Sequence, residues 1–558
     1  MARDEIVDRH RGLVGRTVLV SGLTLLSRIL GFVREVLSAA LFGDTSAIWD
    51  AFVTAWRVPN LFRRFFGEGA ISTSLQTALT EADGDGGNEA GRRLFLRTVR
   101  TTFVVLLAVS VVAMGVAYAV PDAFLGSDPA PVRELIVRLL PFVVMICLAA
   151  LCAGALNVRG HFTAPNLAPS LMNLVWIATL VWIGVEFVWG AAAPPSDGPA
   201  LKSYQLEMAR WLAWGALASG AVQVAVQVPA LRANGLLGRV EAGSKVDESD
   251  LRRRARGVLW TSVPLALGAA VYQINVMVDG FMAEAFLADG GPSAHYLANR
   301  VQQFPLALIA LAATSAVFPS LKALGHRGRL DELRALHDKA QLGVCFLALP
   351  ASVGLFLFAE PIARALFEHG SYGPAGVARV AAALKMLALA LLPAGAVGLA
   401  SRTYYARGDF KTPVRVSIGV LIANAGLNAV FLVGFDMDVE GLALATALSS
   451  WAQLAILLPG LSRALGLPRS SARALGRVAR MLVASAASGA AAWGAYAALV
   501  GWDPAAGTGR TAFGLGAAAA AGIGCYLAAA TALRLPELAD VAGRFRARAD
   551  RSSDSGPR

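Results

Sequence analysis

The sequence predicts an all-α integral membrane protein of about 14 transmembrane helices, built as two parallel-repeat six-helix lobes plus two C-terminal helices. Of its 558 residues, 56% are apolar and only 16% are charged, and the mean hydropathy is +0.57. These values lie well outside the range of soluble domains. Apolar windows of roughly 20 residues, the length that crosses a bilayer as a helix, recur along the chain.

Fourteen such windows follow one another. They cover residues 17–41, 48–80, 94–120, 133–157, 164–189, 208–231, 257–287, 295–322, 340–359, 376–406, 412–434, 440–461, 478–500 and 511–533. They divide the chain into an N-terminal lobe (1–231), a basic cytoplasmic linker (232–256), a C-terminal lobe (257–466), a pair of helices (467–534) and a cytoplasmic tail (535–558). The short loops leave no room for a soluble catalytic domain.

The lysine and arginine residues predict the orientation. With the N-terminus inside, 35 of the 50 fall on the inner side, seven lie at or near outer ends and eight lie within spans. This asymmetry places both termini in the cytoplasm. The net charge of +12 therefore reflects topology, and no nucleic-acid partner is expected.

The chain also repeats itself. The pattern R-G-x-F-x-x-P begins at Arg159 and again at Arg407, and a weaker echo aligns Arg57 with Arg300. Six crossings return a chain to the same side, so two six-helix halves are parallel repeats, and a substrate is expected between them.

The first two spans contain charges that a lipid-facing helix does not tolerate. A charge at the bilayer centre costs about 3 kcal/mol or more. The residues are Arg28, Arg34 and Glu35 in the first span and Asp50, Arg57, Arg63, Arg64 and Glu68 in the second. Asp50, Arg57 and Arg64 recur every seven residues and so face one direction. One interpretation is internal ion pairing that locks helices together, with Arg64 and Glu68 as a local pair.

The second interpretation is a polar cavity for an anion. Five arginines against three carboxylates leave positive charge unbalanced, and guanidinium forks match phosphate oxygens. A phosphate or diphosphate is the guest that these residues favour. Arg300 in span 8, with Lys385 and Arg402 in span 10, adds to this charge from the second half. Arg63, Arg64 and Arg402 lie near inner helix ends, where snorkelling to the interface is the alternative.

A smaller polar group lies on spans 7, 11 and 12. Asp279, Asn424, Asn428 and Thr446 offer hard oxygen ligands that suit a small cation such as sodium, and interhelical hydrogen bonds are the alternative. No other cofactor is indicated. The chain lacks the HExxH, GxSxG and Walker patterns and any metal-spaced Cys/His cluster, so no enzyme activity is expected.

Read together, these residues resemble the MurJ (MviN) family of lipid II flippases, within the superfamily of multidrug, oligosaccharidyl-lipid and polysaccharide exporters. The resemblance is carried by SRILGFVRE from Ser27, LFG from Leu41, DAF from Asp50 and RVPNLFRR from Arg57, leading into GEGA from Gly67. It continues through 162–173, 300–305, 318–321 and 410–413 and covers at least twelve spans.

The resemblance implies a flippase of the bacterial cytoplasmic membrane that moves lipid II, the undecaprenyl-diphosphate-linked peptidoglycan precursor, from the inner to the outer leaflet by alternating access. The family's cavity residues match Arg28, Arg34, Arg63, Arg300 and Asp50. Spans 13 and 14 would hold the polyprenyl tail, and some members carry a sodium site on spans 7, 11 and 12. Membrane lipids and cell-wall synthesis proteins are the further partners that this role implies.

Three hypotheses about function are consistent with these residues. The first is the lipid II flippase. The second is a related exporter of another polyprenyl-linked saccharide or of drugs, although a cavity for cationic drugs requires acidic or aromatic character. The third is a non-transporting membrane scaffold of cell-wall assembly, whose charges only pair helices.

Overall fold

The computed structural model describes residues 2–63, 70–190, 195, 198–238, 248–310, 317–465, 472–501 and 507–539. Within these ranges all regular secondary structure is helical, with no strand. The chain divides into two compact units. The first unit is Met1–Ser293 with His369–Tyr372, and the second is Ala294–Glu368 with Gly373–Arg558.

The first unit holds nine α-helices in its described part. They are α1 (Ala2–Phe42), α2 (Ala47–Phe62), α3 (Ala70–Ala119), α4 (Pro129–Leu139), α5 (Pro141–Val158), α6 (Thr163–Ile183), α7 (Gly198–Ala225), α8 (Val228–Ala233) and α9 (Glu248–Phe286). Helix α9, predicted to open the C-terminal lobe, packs along α3 in this unit. The boundary between the two compact units therefore lies at Ser293, after the start of the predicted C-terminal lobe at residue 257.

Helix α10 (Gly291–Ala310) begins in the first unit and continues into the second. The helices that follow are α11 (Phe318–His326), α12 (Leu330–Leu357), α13 (Ala359–Phe367), α14 (Pro374–Ala388), α15 (Leu391–Ala406), α16 (Lys411–Ala429), α17 (Val439–Ala464), α18 (Ala472–Val500) and α19 (Thr508–Ala532). Proline occupies the first turn of α4, α5 and α14, where its missing N–H costs nothing.

The described helices include many that are long and apolar enough to span a membrane, as the sequence predicts. Among the described residues, nine helical stretches are long and apolar enough to cross a bilayer, or ten if α14 and α15, bent by 45°, form one span. The other four predicted spans fall on α1, α2, α9 and the pair α10–α11. The predicted all-α membrane fold is confirmed, and the count of fourteen stays a prediction.

The second predicted span, 48–80, is corrected by the structure. Helix α2 ends at Phe62, and residues 70–80 belong to α3, which continues through the predicted loop at 81–93. Polar residues end a hydropathy window without ending a helix, and α3 continues through 81–93 although this segment contains four glycines, which are poor helix formers. Gly87 distorts α3 locally with a φ of 67°, a left-handed conformation that glycine adopts readily.

The predicted internal repeat is visible inside each unit. Helices α6 and α16 start 248 residues apart, directly after the two R-G-x-F motifs. Each ends in a π-helical turn, Gly184–Trp189 and Val430–Gly434. Spans 4 and 10 are each broken, as α4–α5 and α14–α15. The same departures from a regular helix thus occur at matching positions of both halves.

Most basic residues at the predicted outer ends have a carboxylate partner. The ion pairs are Arg133 with Asp122, Arg138 with Glu134, Lys202 with Asp128, Arg210 with Glu134 and Glu207, Arg364 with Glu360 and Glu368, and Arg379 with Asp438. The seventh, Arg510, donates to the backbone carbonyl of Leu499 at 3.2 Å.

Candidate functional site

Helix α2 is the most deeply buried helix that carries predicted site residues. Ser46 caps its N-terminus, because the Ser46 hydroxyl accepts a hydrogen bond from the backbone N–H of Trp49 at 3.1 Å. Every residue from Ile48 to Arg57 is buried. A charged side chain on this helix therefore faces protein, and its cost is offset only by a specific partner.

Asp50 finds that partner at the start of α10. Its two carboxylate oxygens accept hydrogen bonds from the backbone N–H groups of Gly290, at 2.5 Å, and Ser293, at 2.8 Å. The positive end of the α10 dipole stabilises the carboxylate there. Asp50 is 2% exposed, so its role in this conformation is to join α2 to the α9–α10 turn.

Two further residues of α2 continue the same stripe. Thr54, one turn after Asp50, donates a hydrogen bond to Glu284 of α9 at 2.7 Å. Arg57 donates to the carbonyl oxygens of Val276 at 3.4 Å and Pro292 at 3.5 Å. We call Asp50, Thr54 and Arg57, with these partners, the α2 latch. The predicted common face of Asp50 and Arg57 is confirmed, whereas Arg64 and Glu68 lie outside the described residues.

Gly280 of α9 makes room for the latch. A Cβ atom added there would overlap a terminal guanidinium nitrogen of Arg57. Glu284, one turn further along α9, was missed by the sequence reasoning. The signal was present, because an acid inside the apolar window 257–287 is itself a mark of a functional or paired site.

Arg34 is held in a second junction of the first unit, between α1 and α6. Its guanidinium lies 2.6 Å from Glu35 Oε1 and 3.4 Å from Asn173 Oδ1, and it stacks over Trp176 at 4.5 Å from the ring centroid. Trp176 in turn packs edge-on against Trp56 of α2. Arg34 is 6% exposed. Its pair with Glu35 corresponds to internal ion pairing, the first of the two interpretations offered by the sequence.

The remaining predicted arginines are more accessible. Arg28 is exposed, and Arg63 and Arg300 are partly buried. Arg63 donates from Nε and one terminal nitrogen to Asn60 Oδ1, at 3.0 and 2.9 Å. Arg300, in the second unit, makes the same two-nitrogen contact with the Tyr296 hydroxyl, at 3.2 and 3.0 Å. In each of these contacts a neutral oxygen orients the guanidinium.

The predicted cation ligands are divided between the units. Asp279 belongs to the first, where it accepts a hydrogen bond from Asn275 at 3.1 Å. In the second unit, Asn424 accepts a hydrogen bond across to α17 from Ser449 at 3.0 Å, and Thr446 donates to a carbonyl of its own helix. Asn428 is fully buried. The described part of the chain holds no group of three or more His, Cys, Asp or Glu residues that could bind a metal, and the sodium site stays a prediction.

Comparisons with known proteins decide the family. The sequence profile described as "Lipid II flippase MurJ" matches residues 38–505. The chain belongs to the MurJ family. A "Probable lipid II flippase MurJ" of Vibrio cholerae is 31% identical over 85% of this chain and 88% of its own length. One from Rhizobium tropici is 30% identical over 89% of each.

Solved structures agree on the fold. A structure titled "Lipid II flippase MurJ, inward closed conformation" matches with a TM-score of 0.71 at 21% identity, covering 92% of this chain and 98% of the other. A multidrug transporter of the MATE family in an inward-facing conformation matches with a TM-score of 0.63 at 13% identity, over 81% of this chain and 99% of the other. Membership of the MurJ family confirms the predicted resemblance and makes the chain a transporter rather than an enzyme.

Replacing Gly280 by alanine should damage the latch. The added methyl displaces the buried Arg57 guanidinium, and overpacking of this kind costs about 1–3 kcal/mol, which thermal unfolding of the purified protein would detect. Gly257→Ala on the same helix is the matched control, because no atom of the described residues lies within 4 Å of a Cβ there. Equal unfolding temperatures for the two variants would show that Arg57 is not held as described.

Asp50 substitutions should be graded. Asn at position 50 keeps one acceptor and loses the charge, whereas Ala loses both, so thermal stability should fall from wild type through Asp50→Asn to Asp50→Ala, by about 1–2 kcal/mol in total. Asp409→Ala is the control. Asp409 also accepts from two backbone N–H groups at a helix start, at Lys411 and Thr412, but has no part in the latch.

Growth of cells depleted of their own flippase distinguishes Asp50→Ala from Asp409→Ala. Both alanine variants lose a helix cap, but only Asp50→Ala should fail to support growth at matched expression. Full complementation by Asp50→Ala would remove the latch from the transport cycle.

Proposed function

We propose that this chain moves lipid II, the undecaprenyl-diphosphate-linked peptidoglycan precursor, from the inner to the outer leaflet of the bacterial cytoplasmic membrane. The observation that carries the proposal is the family relationship, in which proteins described as lipid II flippases align at 30–31% identity over 85–89% of this chain. The described helices contribute two further arguments, one from the arginines and one from the latch.

The arginines divide into two classes by their contacts. Arg34 and Arg57 are buried against protein groups, so we assign them to holding helices α1, α2, α6 and α9 together. Arg28, Arg63 and Arg300 are the accessible members of the predicted set, and we assign to them the contacts with the lipid diphosphate. Asn60 and Tyr296 each bind the Nε edge of their guanidinium and so fix its orientation, and guanidinium groups bind phosphate oxygens.

The α2 latch fits the alternating-access part of the proposal. Its three rungs connect α2 to α9 and to the start of α10 through hydrogen bonds. Alternating access requires an element with two discrete arrangements. We assign closure at the predicted outer end to this latch.

The C-terminal helices suit the lipid tail. Helices α18 and α19 pack closely through the Ser488 hydroxyl, which donates to the carbonyl of Gly522 at 2.8 Å. Their outward faces present large apolar side chains, including Val483, Phe513 and Ile523, each more than 60% exposed. We assign the polyprenyl chain to this surface, since an apolar tail needs no polar partner.

We also place both termini in the cytoplasm. The excess of basic residues on that side supports this orientation, and the carboxylate partners of the predicted outer basic residues leave little net positive charge at the other end.

Binding of undecaprenyl diphosphate to the purified protein tests the diphosphate assignment. Affinity should fall in the order diphosphate, monophosphate and neutral polyprenol. Arg63→Gln and Arg300→Gln should each weaken diphosphate binding about 10-fold or more, the equivalent of one lost charge-assisted hydrogen bond. Arg463→Gln, an exposed arginine on α17, serves as the control and should bind as wild type.

Arg34→Gln separates the two classes of arginine. It should lower the unfolding temperature, because the buried Glu35 carboxylate loses its ion pair with Arg34, while the preference for diphosphate over monophosphate is retained. Equal affinity of the wild-type protein for all three lipids would overturn the diphosphate assignment.

A further inference from the structure

The cytoplasmic end of α9 has two different faces. Leu251, Ala255 and Val258, at i, i+4 and i+7, are 5%, 1% and 2% exposed. Leu251 and Ala255 pack with Ala82 and Leu94 of α3. This apolar stripe fixes which side of α9 faces the protein.

The opposite face of α9 is basic and then aromatic. Arg252 and Arg256 are exposed, and Trp260 is 74% exposed. Spaced four residues apart, the three lie on one face at intervals of about 6 Å along the helix. We call Arg252, Arg256 and Trp260 the α9 stripe. It ends where the predicted membrane span, 257–287, begins.

Neighbouring acids are committed to other arginines. Asp250 Oδ2 lies 2.6 Å from Arg254, and Asp250 Oδ1 lies 2.5 Å from Arg253. Asp85 of α3 also pairs with Arg254, at 2.8 Å. Within the described ranges neither Arg252 nor Arg256 has a carboxylate partner. This differs from the predicted outer end, where six of the seven basic residues have one.

We propose that the α9 stripe binds the headgroups of anionic phospholipids in the leaflet at this end of the protein. Arginine binds phosphate oxygens, and an adjacent exposed tryptophan is the side chain that settles at the boundary between headgroups and acyl chains. A soluble acidic partner fits less well, because the stripe runs directly into an apolar helix. The proposal rests on the proposed orientation and is independent of the diphosphate assignment.

Lipid retention measures this directly. The full-length protein is reconstituted in nanodiscs of equal parts phosphatidylglycerol and phosphatidylcholine, released, and its bound lipids are counted by native mass spectrometry. Wild type should retain phosphatidylglycerol preferentially, and Arg252→Gln with Arg256→Gln should reduce that preference up to about thirtyfold, since each arginine near an anionic surface contributes about fivefold. Trp260→Ala should shorten retention of both lipids.

The matched control removes two arginines elsewhere. Arg327, directly after α11, and Arg415, on α16, are also exposed, lie on the same predicted side and are far from any exposed tryptophan in sequence, so Arg327→Gln with Arg415→Gln should leave the preference unchanged. An equal loss of the phosphatidylglycerol preference in both double variants would show that the preference depends on general surface charge, and it would overturn the proposal. So would displacement of the lipid by glycerol 1-phosphate at concentrations comparable to the lipid, which would indicate a site for free anions.

Discussion

Burial of charge in an apolar setting is the constraint on which the first unit depends. Asp50, Arg57, Arg34 and Glu35 are each at most 6% exposed, and each would cost several kcal/mol if left alone. The structure offsets that cost in two ways. Asp50 and Arg57 bind backbone groups at helix ends, and Arg34 binds a neighbouring carboxylate and an indole ring. Helices α1, α2, α6, α9 and α10 are therefore brought into register by polar contacts, because apolar surface against lipid provides little driving force for a particular pairing.

Charged residues that share one membrane helix can have different roles. The sequence of α2 presents Asp50, Arg57 and Arg63 as one set, yet the first two are fixed by protein atoms and the third is oriented by the neutral amide of Asn60. The stated partners of Arg57 and Arg63 are neutral oxygens alike. Burial separates the two residues, because Arg57 is 5% exposed, whereas Arg63 is only partly buried.

Periodicity and hydropathy predicted most of the fold, because both are properties of sequence spacing. The described residues of the fourteen windows lie on helices or directly at their ends, although window 48–80 joins parts of α2 and α3, and the R-G-x-F repeat marks the starts of α6 and α16. The failures have physical causes. Hydropathy cannot follow α3 through its polar segment, and spacing cannot show that Arg34 turns toward Trp176 or that Thr54 meets Glu284, because those contacts join helices that are distant in sequence. The candidate residues were thus predictable as a set, and their separate roles were not.

The bond between Asp50 and Ser293 also has a meaning in terms of symmetry. The two residues are 243 apart, the separation that aligns Arg57 with Arg300, so they occupy equivalent positions of the two repeats. In a two-fold assembly of identical halves, such a self-contact places the same residue on both sides, and two aspartates would repel. A single fused chain avoids that repulsion, since its second half places an uncharged serine opposite Asp50. One buried carboxylate can then occupy a position that two could not share.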